Sequence, residues 1–128
     1  MIDSFRHQGL RKQLIKHLAS KGITNLNVLN AINKIPRHLF MDNAFVNFSY
    51  QDKAFPIGSG QTISQPYTVA FQTELLQLNP YEKVLEVGTG SGYQAAVLIG
   101  MEANVYTIER QKELFTKTKD FLPKLGFN

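Results

Sequence analysis

Lys83-Val84-Leu85-Glu86-Val87-Gly88-Thr89-Gly90-Ser91-Gly92 is the stretch that decides the fold. Its first five residues read as a short strand. The glycines that follow let the chain turn tightly and let a ligand approach the backbone. Tyr93 to Ile99 reads as a helix ending near Gly100, and Asn104 to Ile108 as a second strand closing with Glu109. Gln111 to Leu122 is helical in pattern and stops at Pro123. Strand, glycine loop, helix, strand, helix is the opening of a doubly wound α/β sheet. The pattern ends after two strands. Such a pair leaves both edges open and its apolar faces thinly covered, so the chain reads as the front part of a domain.

Upstream of this unit the pattern is helical. Asp3 or Ser4 can cap a helix running to about Lys21, with Leu10, Leu14, Ile15 and Leu18 as its stripe and Gly22 as its stop. Asn25 or Asn27 can cap a second helix with Val28, Leu29, Ile32 and Ile35 on one face, broken by Pro36. His38 to Tyr50 reads as short helix plus loop, and residues 51–65 as one long loop punctuated by Pro56, Gly58 and Gly60. Pro66 suits the first turn of a helix, with Ser64 or Gln65 as its cap, ending near Asn79-Pro80. We therefore expect one domain over residues 1–128, in which 1–79 supply helices and a loop and 80–128 begin the sheet.

The composition bounds the function. A chain of 128 residues with 43% apolar and 19% charged residues is globular rather than disordered. It has no cysteine, which excludes disulfides, cysteine-zinc sites and thiol chemistry. No apolar run is long enough to span a bilayer, and the N-terminus does not read as a secretory signal, so a cytoplasmic location is expected. The net charge of +4 is uneven: residues 1–40 carry seven Lys/Arg against Asp3 alone, and the rest carry seven Lys/Arg against nine acids. The basic segment reads first as a solvated helix face and second as an RNA-facing patch, although no aromatic residues alternate with its charges. His7, His17 and His38 share no spacing that suggests a metal site, and all three read as non-catalytic.

The glycine spacing narrows the ligand. The dinucleotide fingerprint G-x-G-x-x-G, counted from Gly88, would need glycine where Tyr93 stands, and no Lys follows as a triphosphate loop requires. A cofactor with an adenosine and no phosphate remains, which points to S-adenosylmethionine. Glu109, at the end of the second strand, is placed to accept hydrogen bonds from ribose hydroxyls.

Three blocks then resemble a known family. Ile35-Pro36-Arg37-His38-Leu39-Phe40, the run Pro56-Ile57-Gly58-Ser59-Gly60-Gln61-Thr62-Ile63-Ser64-Gln65-Pro66-Tyr67, and Leu85-Glu86-Val87-Gly88-Thr89-Gly90-Ser91-Gly92-Tyr93 together resemble the protein-L-isoaspartate O-methyltransferases. The glycine block is shared by many methyltransferases; its combination with the Gly60–Tyr67 block is far more specific. The resemblance implies a class I S-adenosylmethionine-dependent methyltransferase fold, Rossmann-like, with an N-terminal helical segment. It implies methyl transfer to the α-carboxylate of L-isoaspartyl residues in damaged proteins and peptides. It further implies Ser64 as the active-site residue and Gln61, Thr62 and Ile63 as lining the cofactor site. Gly88, Gly90 and Ser91 become the glycine loop, with Glu109 and Arg110 at the ribose. Family members run through several more strands, so this chain corresponds to their N-terminal part. Two alternatives stay open from the sequence: a methyltransferase acting on RNA or a small molecule, and an inactive fragment that at most binds ligand.

Overall fold

The computed structural model describes residues 2–128. Helix α1 spans Phe5–Ser20, and Ser4 caps it by accepting a hydrogen bond from the His7 amide. Helix α2 spans Leu26–Lys34 beneath an Asn25 cap that takes the amides of Asn27 and Val28. Two 3₁₀ turns follow, Arg37–Phe40 and Asn43–Phe48. They are the short helix and loop expected there.

Residues 51–65 are not one loop. Strands β1 (Phe55–Gly58) and β2 (Gln61–Ile63) form an antiparallel hairpin with a bulge between Pro56 and Gly58. Its turn is Ser59-Gly60, and both residues take positive φ (53° and 66°), as a two-residue turn of the primed type requires. Serine is not the residue that turn favours, and proline in a strand argues against the strand, so the local signal pointed to a loop.

Helix α3 covers Pro66–Leu75 and ends earlier than the Asn79-Pro80 boundary. Gln65 occupies its cap position without a side-chain capping bond. The capping group is remote: Asp52 Oδ1 accepts from the Tyr67 amide at 2.8 Å. Strand β3 (Lys83–Val87), helix α4 (Tyr93–Gly100), strand β4 (Asn104–Ile108) and helix α5 (Lys112–Lys124) complete the chain. Helix α5 runs one residue beyond Pro123, whose missing amide hydrogen removes one helical bond from the last turn, and ends there. β3 and β4 pair in parallel, Lys83 opposite Asn104 through Val87 opposite Ile108, joined by the α4 crossover.

The core lies among the helices. Leu14, Leu18, Val28, Ile32, Val69, Ala96 and Val97 are sealed in one cluster, which joins α4 to α1–α3. The sheet has one covered face, packed on α4. On the other face Leu85, Val87, Tyr106 and Ile108 stand exposed, the consequence of strict alternation along two strands with helices on one side only.

Candidate active site

The glycine loop is anchored before it turns. The amides of Gly88 and Thr89 both donate to the Ile108 carbonyl at the end of β4, at 2.8 and 3.1 Å. Gly88, Gly90 and Gly92 all have positive φ. At Gly88 a Cβ would meet nothing within 4 Å, so the backbone there is open to a ligand. At Gly92 a Cβ would stand 2.9 Å from a methyl of Leu122 and 3.0 Å from one of Thr118, so this glycine serves the packing of α5. Gly90 is held on both sides. Its amide donates to Glu109 Oε1 at 3.2 Å, and its carbonyl accepts from the Thr118 hydroxyl at 2.8 Å.

Two adjoining clefts meet at this loop, of about 360 and 730 Å³. Thr62, Ser64, Val87, Gly88 and Gly90 border both. Ile63 and Ser91 line the smaller cleft, and Gln61, Glu109 and Arg110 the larger. The fold thus brings all nine residues expected at the site to one place, although up to 49 positions separate them in sequence. Their exposures differ. The Ile63 side chain belongs to the core and supports the wall from inside, whereas Gln61, Thr62, Ser64 and Arg110 are exposed. The Ser64 hydroxyl does not cap α3.

The sequence missed Glu86. It lies on the covered phase of β3 and lines the smaller cleft. Thr107 donates to its Oε1 at 2.6 Å, and the Thr89 and Thr107 hydroxyls share a further bond of 2.6 Å. Burial raises its pKa from 4.5 to about 7; the Thr107 hydroxyl opposes that shift and the charge of Glu109 adds to it. A carboxylate on the inward phase of an otherwise apolar strand was the signal that could have found it. The sequence offers Arg37 within the Ile35–Phe40 block without giving it a role. It is fully buried, its guanidinium lies 4.8 Å from the ring centre of Tyr93, and three backbone carbonyls accept from it.

His7 and His38, 31 positions apart, stack with ring centres 3.7 Å apart beside Asp3. Potential ligand atoms of the three lie within 4.8 Å of one another, a proximity their spacing did not suggest. Both Asp3 oxygens are already held by the Arg11 fork, at 2.8 and 3.0 Å, and His38 Nδ1 is bonded to the Tyr50 hydroxyl at 2.8 Å. The group is therefore a closed hydrogen-bonded network that fastens the N-terminus. Arg11 and Arg37 are both buried, so two of the seven N-terminal cations are turned inward. No helix among the described residues is long and apolar enough to cross a membrane.

A parallel strand pair with a glycine loop after the first strand and a carboxylate after the second is the cofactor-binding part of a class I methyltransferase fold. The family model for protein-L-isoaspartate(D-aspartate) O-methyltransferase matches residues 9–128, and the chain belongs to that family. It is 65% identical over 127 residues to a protein-L-isoaspartate O-methyltransferase of Christiangramia forsetii, covering 99% of this chain and 60% of the relative. It is equally similar, over 126 residues, to one of Flavobacterium psychrophilum. A solved protein-L-isoaspartate O-methyltransferase superposes with a TM-score of 0.81 at 27% identity, covering 92% of this chain and 39% of the other. A Plasmodium falciparum structure assigned to the same enzyme, in complex with S-adenosyl-L-homocysteine, superposes with a TM-score of 0.75 at 27% identity over 89% of this chain and 55% of its own. The chain spans about 60% of the length of these curated relatives.

Proposed function

We propose that residues 1–128 form one methyltransferase domain, with residues 1–79 presenting the acceptor loop and residues 80–128 the cofactor loop. Its reaction is methyl transfer from S-adenosylmethionine to the α-carboxylate of L-isoaspartyl residues in damaged proteins and peptides. One observation carries the reading. The Gln61–Ser64 segment and the Gly88–Ser91 loop face each other as walls of the same pair of clefts.

When bound, S-adenosylmethionine supplies an electrophilic methyl group on a sulfonium. The residues present fit it. Gly88 offers open backbone, Glu109 offers a carboxylate at the strand end for ribose hydroxyls, and Arg110 stands beside it. Gln61, Thr62 and Ile63 form the facing wall, and the Ser91 hydroxyl stays in the loop by accepting from the Tyr93 amide at 3.2 Å.

Ser64 is the group we assign to the acceptor. A free α-carboxylate, with a pKa of about 3.5, is ionised at neutral pH and needs no general base. It needs placement against the methyl and exclusion of water. A serine hydroxyl can hold one oxygen without neutralising the charge that attacks. A lysine would bind the ground-state anion more tightly and would not help the chemical step. A protein carboxylate is favoured over RNA as the acceptor because the buried Arg11 and Arg37 thin the basic surface an RNA would need. The cytoplasmic location expected from the sequence belongs to the same proposal.

The cofactor half is tested on this chain by thermal shift with S-adenosylhomocysteine, which should raise the Tm. No shift at saturating concentrations would remove the cofactor assignment. The acceptor half is tested with Ser64→Ala in a protein of the relatives' full length. Turnover on an isoaspartyl peptide should fall about a hundredfold with the Tm unchanged. Parental turnover would leave Ser64 without a catalytic role.

A further inference from the structure

Ser64 is exposed, sits between a short strand and a helix, and has no side-chain hydrogen bond among the described residues. Its position is fixed by its backbone. The Ser64 carbonyl accepts from Arg37 Nη2 at 2.9 Å, and the same guanidinium bonds the Ser49 carbonyl through Nε at 2.9 Å and the Lys53 carbonyl through Nη2 at 3.3 Å. Within that 49–53 segment, Asp52 holds the Tyr67 amide three residues past Ser64. Asp52 is itself fixed by His17 on α1 at 3.0 Å and by Lys21, the residue that ends it, at 3.3 Å. The chain from Ser64 to Tyr67 is therefore held at its Ser64 end by Arg37 and at its Tyr67 end by Asp52, and Arg37 is bonded to the segment that carries Asp52. Arg37 closes the ring.

The flat face of Arg37 completes the arrangement. Its guanidinium lies over Tyr93, the residue that opens α4 directly after the glycine loop. One buried side chain thus touches both walls of the cleft: Ser64 by hydrogen bond and Tyr93 by its ring. Its remaining nitrogen, Nη1, is buried with no hydrogen-bond partner. Burying a cation without a carboxylate is costly, and the site retains one. A planar fork with donors in several directions meets three carbonyls at once; a lysine ammonium on a flexible stem does not reproduce that geometry.

We propose that Arg37 is a positioning residue that sets the Ser64 loop at its distance from the glycine loop. The inference rests on the reading of Ser64 and the glycine loop as the two sides of the reaction site. Its action is through backbone carbonyls, so it is independent of what the Ser64 hydroxyl does.

The test uses Arg37→Lys in this chain, with amide hydrogen exchange followed by NMR. The Tyr67 and Val69 amides, at the start of α3, should exchange at least tenfold faster than in the parent. Amides in the interior of α1, such as that of Leu18, should keep their rates. S-adenosylhomocysteine affinity, measured in parallel, should fall at least fivefold. Uniform acceleration of all amides, or none, would overturn the clamp and leave Arg37 as an ordinary part of the core. Where Arg37→Lys fails to fold, the parent chain answers the question. The Arg37 Nε–H and the Tyr67 amide should share one opening reaction across a denaturant series, and separate openings overturn the proposal. A parent chain that fails to bind S-adenosylhomocysteine would defeat the functional reading, while the exchange measurement would still decide the clamp.

Discussion

The helices α1–α3 and the strand pair β3–β4 are both rich in leucine and valine and put them to opposite use. Leu18 and Val28 are wholly sealed, while Leu85 and Val87 are 63% and 76% exposed. The difference follows from layering. A helix buries a stripe against its neighbours, and α1, α2, α3 and α4 do so mutually. A strand alternates, so a sheet covered on one side leaves half of its side chains outside. Stability is therefore concentrated in the helical segment, and the candidate site lies at the seam where that segment meets the sheet. The Ser64 loop is carried by the well-packed part. The glycine loop is carried by the thinly covered part and is tied to the helices by α5, through Thr118 and Gly92.

The largest effect should come from the packed side. Leu18→Ala removes a fully buried side chain, and such truncations cost about 2–5 kcal/mol. Urea denaturation should show that loss, whereas Leu85→Ala should change stability by less than about 0.5 kcal/mol. Equal losses at the two positions would break the contrast between the regions. Next in size is the seam. Gly92→Ala must hold an alanine at φ +84° with its Cβ 2.9 Å from Leu122. Backbone strain of about 1–2 kcal/mol and overpacking of about 1–3 kcal/mol should add there. Gly88→Ala meets the strain alone, since its Cβ enters open space. A Gly92→Ala variant no less stable than Gly88→Ala would show that α5 does not hold the loop.

Glu86 tests the sheet side through pH. Its carboxyl titrates near 7 in the folded chain against 4.5 as the reference value. The folded state therefore holds the proton more tightly than the unfolded state. Stability is highest below the reference pKa, falls as pH rises through the interval to about 7, and is flat beyond it. The full loss is at most about 3 kcal/mol. Glu86→Gln keeps an acceptor for the Thr107 hydroxyl and removes the charge, so its stability should stay level over that interval. A variant with the parental slope would relocate the titration to another group.

What could be read in the sequence was local. Lys83–Val87 and Asn104–Ile108 emerged with their observed bounds because each is a short apolar run ended by a turn or a glycine. The proline at the start of α3 was equally plain, while the cap of α2 lay open between Asn25, which the fold uses, and Asn27. What escaped depends on distance. The Ser59 turn of the hairpin is stabilised by strand pairing, against the preference of serine for negative φ. Asp52 caps a helix that starts 14 residues later, a relation no capping pattern records. Arg37 falls in a basic segment that reads as a solvated face, and His7 and His38 share no spacing that announces their contact. Only the folded chain brings three carbonyls round Arg37 and a tyrosine hydroxyl to His38. For the site, the glycine loop and Ser64 were legible as motifs, and Glu86 was not, because its inward direction is a property of register.

The smallest expected change in stability sharpens the comparison most. Leu85, Val87, Tyr106 and Ile108 form a contiguous apolar face of two paired strands, with Leu85 directly opposite Tyr106. Exposed apolar patches on a sheet favour association between chains. The double substitution Leu85→Thr and Tyr106→Thr introduces β-branched residues suited to strands and removes the central apolar pair of that face. Both side chains are mostly in solvent, 63% and 58% exposed, so their loss should alter unfolding by no more than about 0.5 kcal/mol each. The effect should appear instead in sedimentation velocity: the parent shifts to faster-sedimenting species as its concentration rises, and the double variant stays a monomer. If both chains sediment as monomers over the same range, the open face is inert, and the contrast between the two regions is one of packing alone. If the double variant unfolds, the face contributes to the sheet's own stability. Leu85 and Tyr106 would then stabilise each other across the strands as a cross-strand pair rather than wait for a covering layer.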